Sequence, residues 1–366
     1  DLPGAAARGG DWDLEYATGA VESAVPFSAA ARAHVSSILD GTAIWSESGS
    51  PTAGTNSFDG SSFGTPTTTV DAGGPWLIMD GAEAPTRDEK IVIGVDSSGT
   101  LSGMRWDGTS WFAPPFTDFA TVSDSERWGF GVAYESQSGD ALIVFNNGSA
   151  GTDGLSYMVW DGTTIADAGN IAAPVAGEPQ QLRLAASPDS DEMVLVVSNA
   201  NNEDYALVWN GGSWGNSIFL DDGSGSTYNT EVQVAYEQQS GRAMVVYGKN
   251  SKDAFFRIWN GSTWEDEGRI DAPGAASGQA SFTSLAADPT SDRIAFGVLS
   301  ANNNSWLAVW DGSVWDPSVV ATSFSGGWSA PAIAVAFEST TGEAIATYAD
   351  AGQKVLYRTW SPGDDW

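Results

Sequence analysis

Short apolar runs recur along this chain in a steady order. Near its middle, VQVAYE (232–237) and AMVVYG (243–248) are separated by QQSGR, and AFFRIW (254–259) follows a polar gap. Runs of this length, rich in Val, Ile, Tyr, Phe and Trp and broken by Gly, Asn, Asp and Ser, predict β-strands. VLVV (194–197) and LIVF (142–145) are apolar at every position, which predicts strands covered on both faces. After each third run a polar tip leads to a fourth, as in SIFL (217–220).

The tips carry the clearest signal. Phe58, Trp106, Trp160, Trp209, Trp259, Trp310 and Trp360 are spaced 48 to 54 residues apart, and most are followed at once by Asp-Gly or Asn-Gly. A second large apolar residue stands five positions on, at Phe63, Trp111, Ile165, Trp214, Trp264 and Trp315. The last copy, TWSPGDDW, lacks the Asp-Gly and closes with Trp366. Asp-Gly and Asn-Gly supply the φ > 0 residues of tight hairpins, so each motif reads as a hairpin tip covered by its aromatics. A unit of four short strands in about 50 residues buries too little surface alone and needs its neighbours. The expected fold is therefore all-β: a single seven-bladed β-propeller of four-stranded antiparallel blades, about 50 residues per blade, over residues 28–366. A string of small β-sandwiches or a β-solenoid is the rival architecture.

The turns between first and second strands alternate. YESQSGD (134–140), YEQQSGR (236–242) and FESTTGE (337–343) are interleaved with ASPDSDE (186–192) and ADPTSDR (287–293), so the full period is close to 101 residues. The final repeat stops one strand short of its sisters, and residues 1–27 contain DWDLEYATGAVESAVPF (11–27). That segment is expected to supply the missing outer strand and close the ring, since an unpaired last blade exposes a sheet edge. Donation of the same strand to a neighbouring molecule, giving a head-to-tail polymer, is the alternative. Residues 28–39, SAAARAHVSSIL, read either as a short helix or as the first strand of blade one.

Charge narrows the partners. Aspartate and glutamate number 47 against 15 lysines and arginines, a net charge of −32 spread along the chain, which repels nucleic acid and anionic membranes. Cysteine is absent and His34 is the single histidine, so disulfides, thiolate catalysis and histidine-cluster zinc sites are excluded. No run approaches the roughly 20 apolar residues of a membrane span. Abundant Gly, Ser, Thr and Asn with few lysines points to an extracellular or cell-surface setting.

Catalytic constellations are sparse. His34 gives no serine triad, and GSGST (223–227) lacks the lysine of a phosphate loop. Glu135, Glu237 and Glu338 occupy equivalent repeat positions, whereas a glycosidase needs an acid and a base in different environments; repeated glutamates are expected to fix turns. No catalysis and no cofactor are expected, with a glycoside hydrolase as the last-ranked alternative. Binding has more support. Exposed tryptophans stack on the apolar faces of sugar rings, and adjacent amides and carboxylates bond hydroxyls, which makes Trp111, Trp214, Trp264 and Trp315, with Asp107, Asp161, Asn210, Asn260 and Asp311, the candidate ligand contacts. Calcium is the remaining ligand: LDDGSGS (220–226) and SPDSDE (187–192) offer oxygen donors, with Asp221, Asp222, Asp189 and Asp191 as candidate Ca2+ ligands.

In rhythm, the stretch from Phe58 to Trp366 resembles the bacterial and fungal propeller lectins of the tectonin and fucose-binding kinds, which implies sugar sites between blades. This chain has no regular arginine or glutamate ligand position in every blade. LYRTW (356–360) and AYEQQSG (235–241) also resemble the YRTWNGTSW repeat proteins of bacterial secretomes, a likeness that implies a secreted or surface propeller. The leading expectation is a non-catalytic structural or adhesive module, a subunit of a surface assembly or filament that partners itself or a surface protein. A glycan-binding lectin is the alternative.

Overall fold

In the computed structural model the described residues are 2–3, 10–11, 41–46, 50–58, 64–65, 67–122, 127–222, 232–274, 276–302, 304–321, 333–339, 341–349, 355–364 and 366. Among them there is no helix. Seven antiparallel sheets follow one another along the chain. Sheet I comprises Gly41–Ser46, Thr52–Phe58 and Thr67–Asp71. Sheet II comprises Trp76–Glu83, Lys90–Asp96 and Thr100–Trp106, the last paired with both Trp111–Phe112 and Ala120–Thr121. Sheet III runs Phe130–Tyr134, Ala141–Asn146, Leu155–Trp160 and Ile165–Ile171. Sheet IV runs Pro179–Ala186, Glu192–Asn199, Glu203–Asn210 and Trp214–Asp222. Sheet V runs Gln233–Tyr236, Ala243–Gly248, Ala254–Trp259 and Gly268–Ile270. Sheet VI runs Ala280–Ala287, Ile294–Ser300, Ser305–Trp310 and Trp315–Ala321. Sheet VII comprises Ile333–Phe337, Ala344–Ala349 and Val355–Trp360.

Pleating explains why sheets such as these must stack. In the second strand of sheet IV, Met193, Leu195 and Val197 join Leu142 and Val144 of sheet III, while the intervening Val194 and Val196 join Val245 and Tyr247 of sheet V. All five strand residues are fully buried, and each such side chain contributes about 1.5–3 kcal/mol when covered. The continuous apolar runs thus belong to second strands lying between two neighbours, as their pattern predicts. The first strands of sheets II to VII adjoin one another in chain order. This is the blade arrangement of a β-propeller.

Phe58 ends the middle strand of sheet I, as Trp106 ends the third strand of sheet II, so the three strands of sheet I correspond to the second, third and fourth of the others. Leu2–Pro3 pairs in parallel with Gly10–Asp11. The expected closing strand from Trp12 onward, the segment 28–39 and the Phe63 tip lie outside the described residues.

Candidate functional site

Each hairpin tip is built by its own side chains. The two aromatics of a motif face each other across the hairpin, pairing Trp106 with Trp111, Trp209 with Trp214 and Trp310 with Trp315, and an isolated bridge does the same for Trp259 and Trp264. Their ring centroids lie 5.5–5.7 Å apart with tilts of 49–54°. The loop between them has four residues, not the two of the tightest hairpins. In sheet VI the Asp311 amide donates to the Val314 carbonyl at 3.1 Å, and only Gly312 is left-handed, at φ 99°.

The residue before that glycine closes the loop. Asp311 Oδ1 accepts from the Ser313 amide and hydroxyl at 2.8 and 2.7 Å and from the Val314 amide at 2.9 Å. Asp107, Asp161, Asn210 and Asn260 repeat this pattern onto their own i+2 and i+3 residues. Thr109 and Ser110 hold Asp107 below the ordinary carboxylate range, Thr163 and Thr164 do so for Asp161, and Val314 and Ser313 for Asp311. The five candidate polar contacts are therefore turn-formers whose Oδ1 is already occupied.

The first tryptophan of each motif is structural. Trp160, Trp209, Trp259 and Trp310 are buried, and three of them bolt one blade to the next: Trp209 Nε1 donates to Glu135 Oε1 and Trp310 Nε1 to Glu237 Oε1, both at 2.6 Å, and Trp160 Nε1 to Glu89 Oε1 at 3.2 Å. Glu135 also accepts from Ser138, Glu237 from Ser240 at 2.5 Å, and Glu338 from the Thr341 amide and hydroxyl at 2.6 and 2.7 Å. The repeated glutamates fix turns, and Glu135 and Glu237 fix neighbouring blades as well. Arg242, clamped on Glu237 at 2.5 and 2.8 Å, reaches the Gly312 carbonyl at 3.1 Å, so the tip of sheet VI rests on the inner turn of sheet V.

The second tryptophans, Trp111, Trp214, Trp264 and Trp315, are half-buried. Between sheets V and VI, Trp315 forms one wall of a groove of about 330 Å³ whose other lining includes Phe256, Arg269, Asp271, Ser313 and Pro317. Phe256 meets Trp310 and Trp315 edge-on at 5.6 and 6.1 Å. Arg269 and Asp271 are exposed and joined at 2.5 Å, leaving further donors and acceptors toward the groove. The ring that meets the tryptophan pair has a signal in the sequence: Tyr157 and Phe256 each precede a motif tryptophan by three residues, and each is followed twelve residues on by glycine.

The acidic candidates are dispersed. Asp191 Oδ1 accepts the amides of Gln137 and Ser138 from sheet III at 2.8 and 2.9 Å, and the Asp189 carbonyl accepts the Gln137 amide nitrogen at 2.6 Å. Asp221 lies beside Lys249 at 3.9 Å, and Asp222 is exposed. Among the described residues no group of three or more His, Asp or Glu is arranged to hold a metal ion.

No family model matches this chain, and no curated protein matches it. Among solved structures it is similar to the BP39L lectin from Burkholderia pseudomallei, with a TM-score of 0.60, 13% identity, and coverage of 89% of this chain and 93% of that one. That likeness is one of fold. Weaker likenesses, at 14% identity, are to the six-bladed β-propeller lectin of Aleuria aurantia (TM-score 0.45, 80% and 99% covered) and to the SapL1 lectin in complex with α-methyl fucoside (TM-score 0.46, 78% and 92% covered).

Proposed function

We propose that this chain is a seven-bladed β-propeller that binds saccharides, without catalysis, in grooves between neighbouring blades, in an extracellular or cell-surface setting. The observation that carries the reading is the groove between sheets V and VI. Its half-buried Trp315 offers an apolar platform, and Arg269, Asp271 and Ser313 surround that platform with donors and acceptors, the combination that a pyranose ring with hydroxyls around an apolar face requires. The lectin names of the similar folds point the same way, and seven copies of the tip motif against seven sheets support the blade number. The alternative reading thus overtakes the structural or adhesive one, for which the described residues offer no comparable site. With Arg269 already paired and the chain at −32, neutral sugars are favoured over uronic or sialic acids.

The test is an array of neutral and acidic methyl glycosides that includes methyl α-L-fucoside. Binding of one or more neutral glycosides is expected, with quenching of tryptophan fluorescence and about a tenfold weaker interaction at this groove in Trp315→Ala, since aromatic packing adds about 0.5–1.5 kcal/mol beyond the area it buries and about 1.4 kcal/mol is tenfold. A native protein that binds nothing on the array and whose fluorescence no glycoside alters would sink the reading.

A further inference from the structure

The junctions from II/III to V/VI are of two kinds, and the groove beside Trp315 belongs to the kind built on a ring and a glycine. In sheets III and V the third strand carries a large ring three residues before the motif tryptophan, at Tyr157 and Phe256. The residue paired with it on the fourth strand is glycine, Gly169 and Gly268. Glycine makes room there for the ring that lies over the strand: a Cβ at 268 would come within 2.2 Å of Phe256 Cζ, and one at 169 would be a tight 3.1 Å from Tyr157 Cε1. The ring then reaches the tryptophan pair of the next blade. Tyr157 lies 5.5 Å from Trp209 and 6.3 Å from Trp214, matching Phe256 against Trp310 and Trp315. Polar groups flank both walls, with Asp167 bonded to the Tyr157 hydroxyl at 2.9 Å in one and Arg269–Asp271 in the other.

At the intervening junctions the bulk is moved to the other strand and the space is filled. The third-strand positions are Gly103 in sheet II and Ala206 in sheet IV. Fully buried Phe116 takes the place of the missing ring at II/III, its carbonyl accepting the Gly103 amide at 2.7 Å and its ring 5.5 Å from Trp160. Arg105 lies over Phe112 and Trp160 at 5.0 and 5.3 Å, and the tip residue there is Ile165. At IV/V, Ile218 pairs with Ala206 and packs on the Trp259 cluster, and the Trp264 indole is tied to the Asn216 carbonyl at 2.7 Å.

We infer that saccharide binding is restricted to alternate junctions, with sites at III/IV and V/VI built on Tyr157–Trp214 and Phe256–Trp315, and none at II/III or IV/V. This rests on the saccharide reading above. Trp264 and Ile165 then occupy tip positions equivalent to Trp214 and Trp315 without contacting ligand.

Two measurements on the full chain test this, using whichever methyl glycoside the array shows to bind. In calorimetric titration, Trp214→Ala and Trp315→Ala are each expected to lower the number of glycosides bound per chain by one, and Trp264→Ala by none. In the native protein, saturating glycoside is expected to slow oxidation of Trp214 and Trp315 by N-bromosuccinimide, read by mass spectrometry, and to leave the rate at Trp264 unchanged. Loss of a site in Trp264→Ala, or protection of Trp264 equal to that of Trp315, would overturn the alternation while leaving saccharide binding intact. Absence of any bound glycoside removes both readings.

Discussion

The seam between sheets III and IV and the seam between sheets IV and V join the same kind of blade in different ways. At III/IV the indole of Trp209 bonds to Glu135, and Asp191 gathers two amides of the preceding inner turn. Seam V/VI repeats this with Trp310, Glu237 and Asp292, whose Oδ1 accepts Gln239 and Ser240 at 2.7 and 2.8 Å. At IV/V the tie is a tyrosine hydroxyl, Tyr236 to Glu192 at 3.1 Å, and at II/III Glu89 receives both the Tyr134 hydroxyl at 2.8 Å and the Trp160 indole at 3.2 Å. Ser187 stands after the first strand of sheet IV where Glu135 and Glu237 stand in sheets III and V, and the buried Trp259 indole is left without a partner. A repeat can therefore look uniform in its tryptophans while the groups that receive them differ from seam to seam.

The contrast can be pressed hardest at Asp204, which lies in seam IV/V. Fully buried, its carboxyl is pushed up to about 8 by desolvation, partly offset by Ser198 and reinforced by Asp221. A folded value above the unfolded one means that the stability it allows is present below pH 4 and is lost as pH rises through about 8. The native protein should therefore lose stability relative to Asp204→Asn between pH 4 and 8, by up to about 1.4 kcal/mol per pH unit. Urea midpoints that stay parallel across that range would remove Asp204 from the account.

Next in size are the glutamates of the tryptophan-linked seams. Glu237→Ala strands the Trp310 indole and frees Arg242, and is expected to cost about 2–4 kcal/mol. Glu135→Ala has no arginine to strand, Asp140 standing where Arg242 does, and should cost about 1–3 kcal/mol. Equal losses in chemical denaturation would mean that the Arg242 clamp adds nothing. The smallest effect is expected in the other seam class: Tyr236→Phe removes one hydroxyl bond to Glu192, about 0.5–1.5 kcal/mol. A loss there matching Glu237→Ala would erase the distinction between seams.

Strand order, the blade repeat and the tips were legible in the sequence because each rests on local pattern: alternating apolar runs and a glycine that must be left-handed. The alternation of inner turns was visible too, and so was the turn-fixing role of Glu135, Glu237 and Glu338. What local pattern could not convey is direction. Asp311 and Asn260 look like ligand contacts until their side chains are seen folded onto their own loops, and Trp310 and Trp315, five residues apart, differ in that one is buried and bonded while the other faces a groove. Asp191 and Glu89 were missed as ties because their partners lie some fifty residues away, across a packed interface that no local window spans. Arg269 and Asp271 were not among the candidates, since their meaning comes only from the neighbouring blade's tip.

Seams that differ in their receivers also constrain how such a chain can change length by duplication or deletion. Removing about 101 residues, two blades, brings like edges back together: an inner turn bearing glutamate again meets a tryptophan, and a tyrosine again meets its glutamate. Removing sheet V alone sets Ser187, an empty site, against the Trp310 indole. Changes of length by two blades therefore keep these seams intact, whereas the loss of sheet V alone would leave a buried indole without its acceptor.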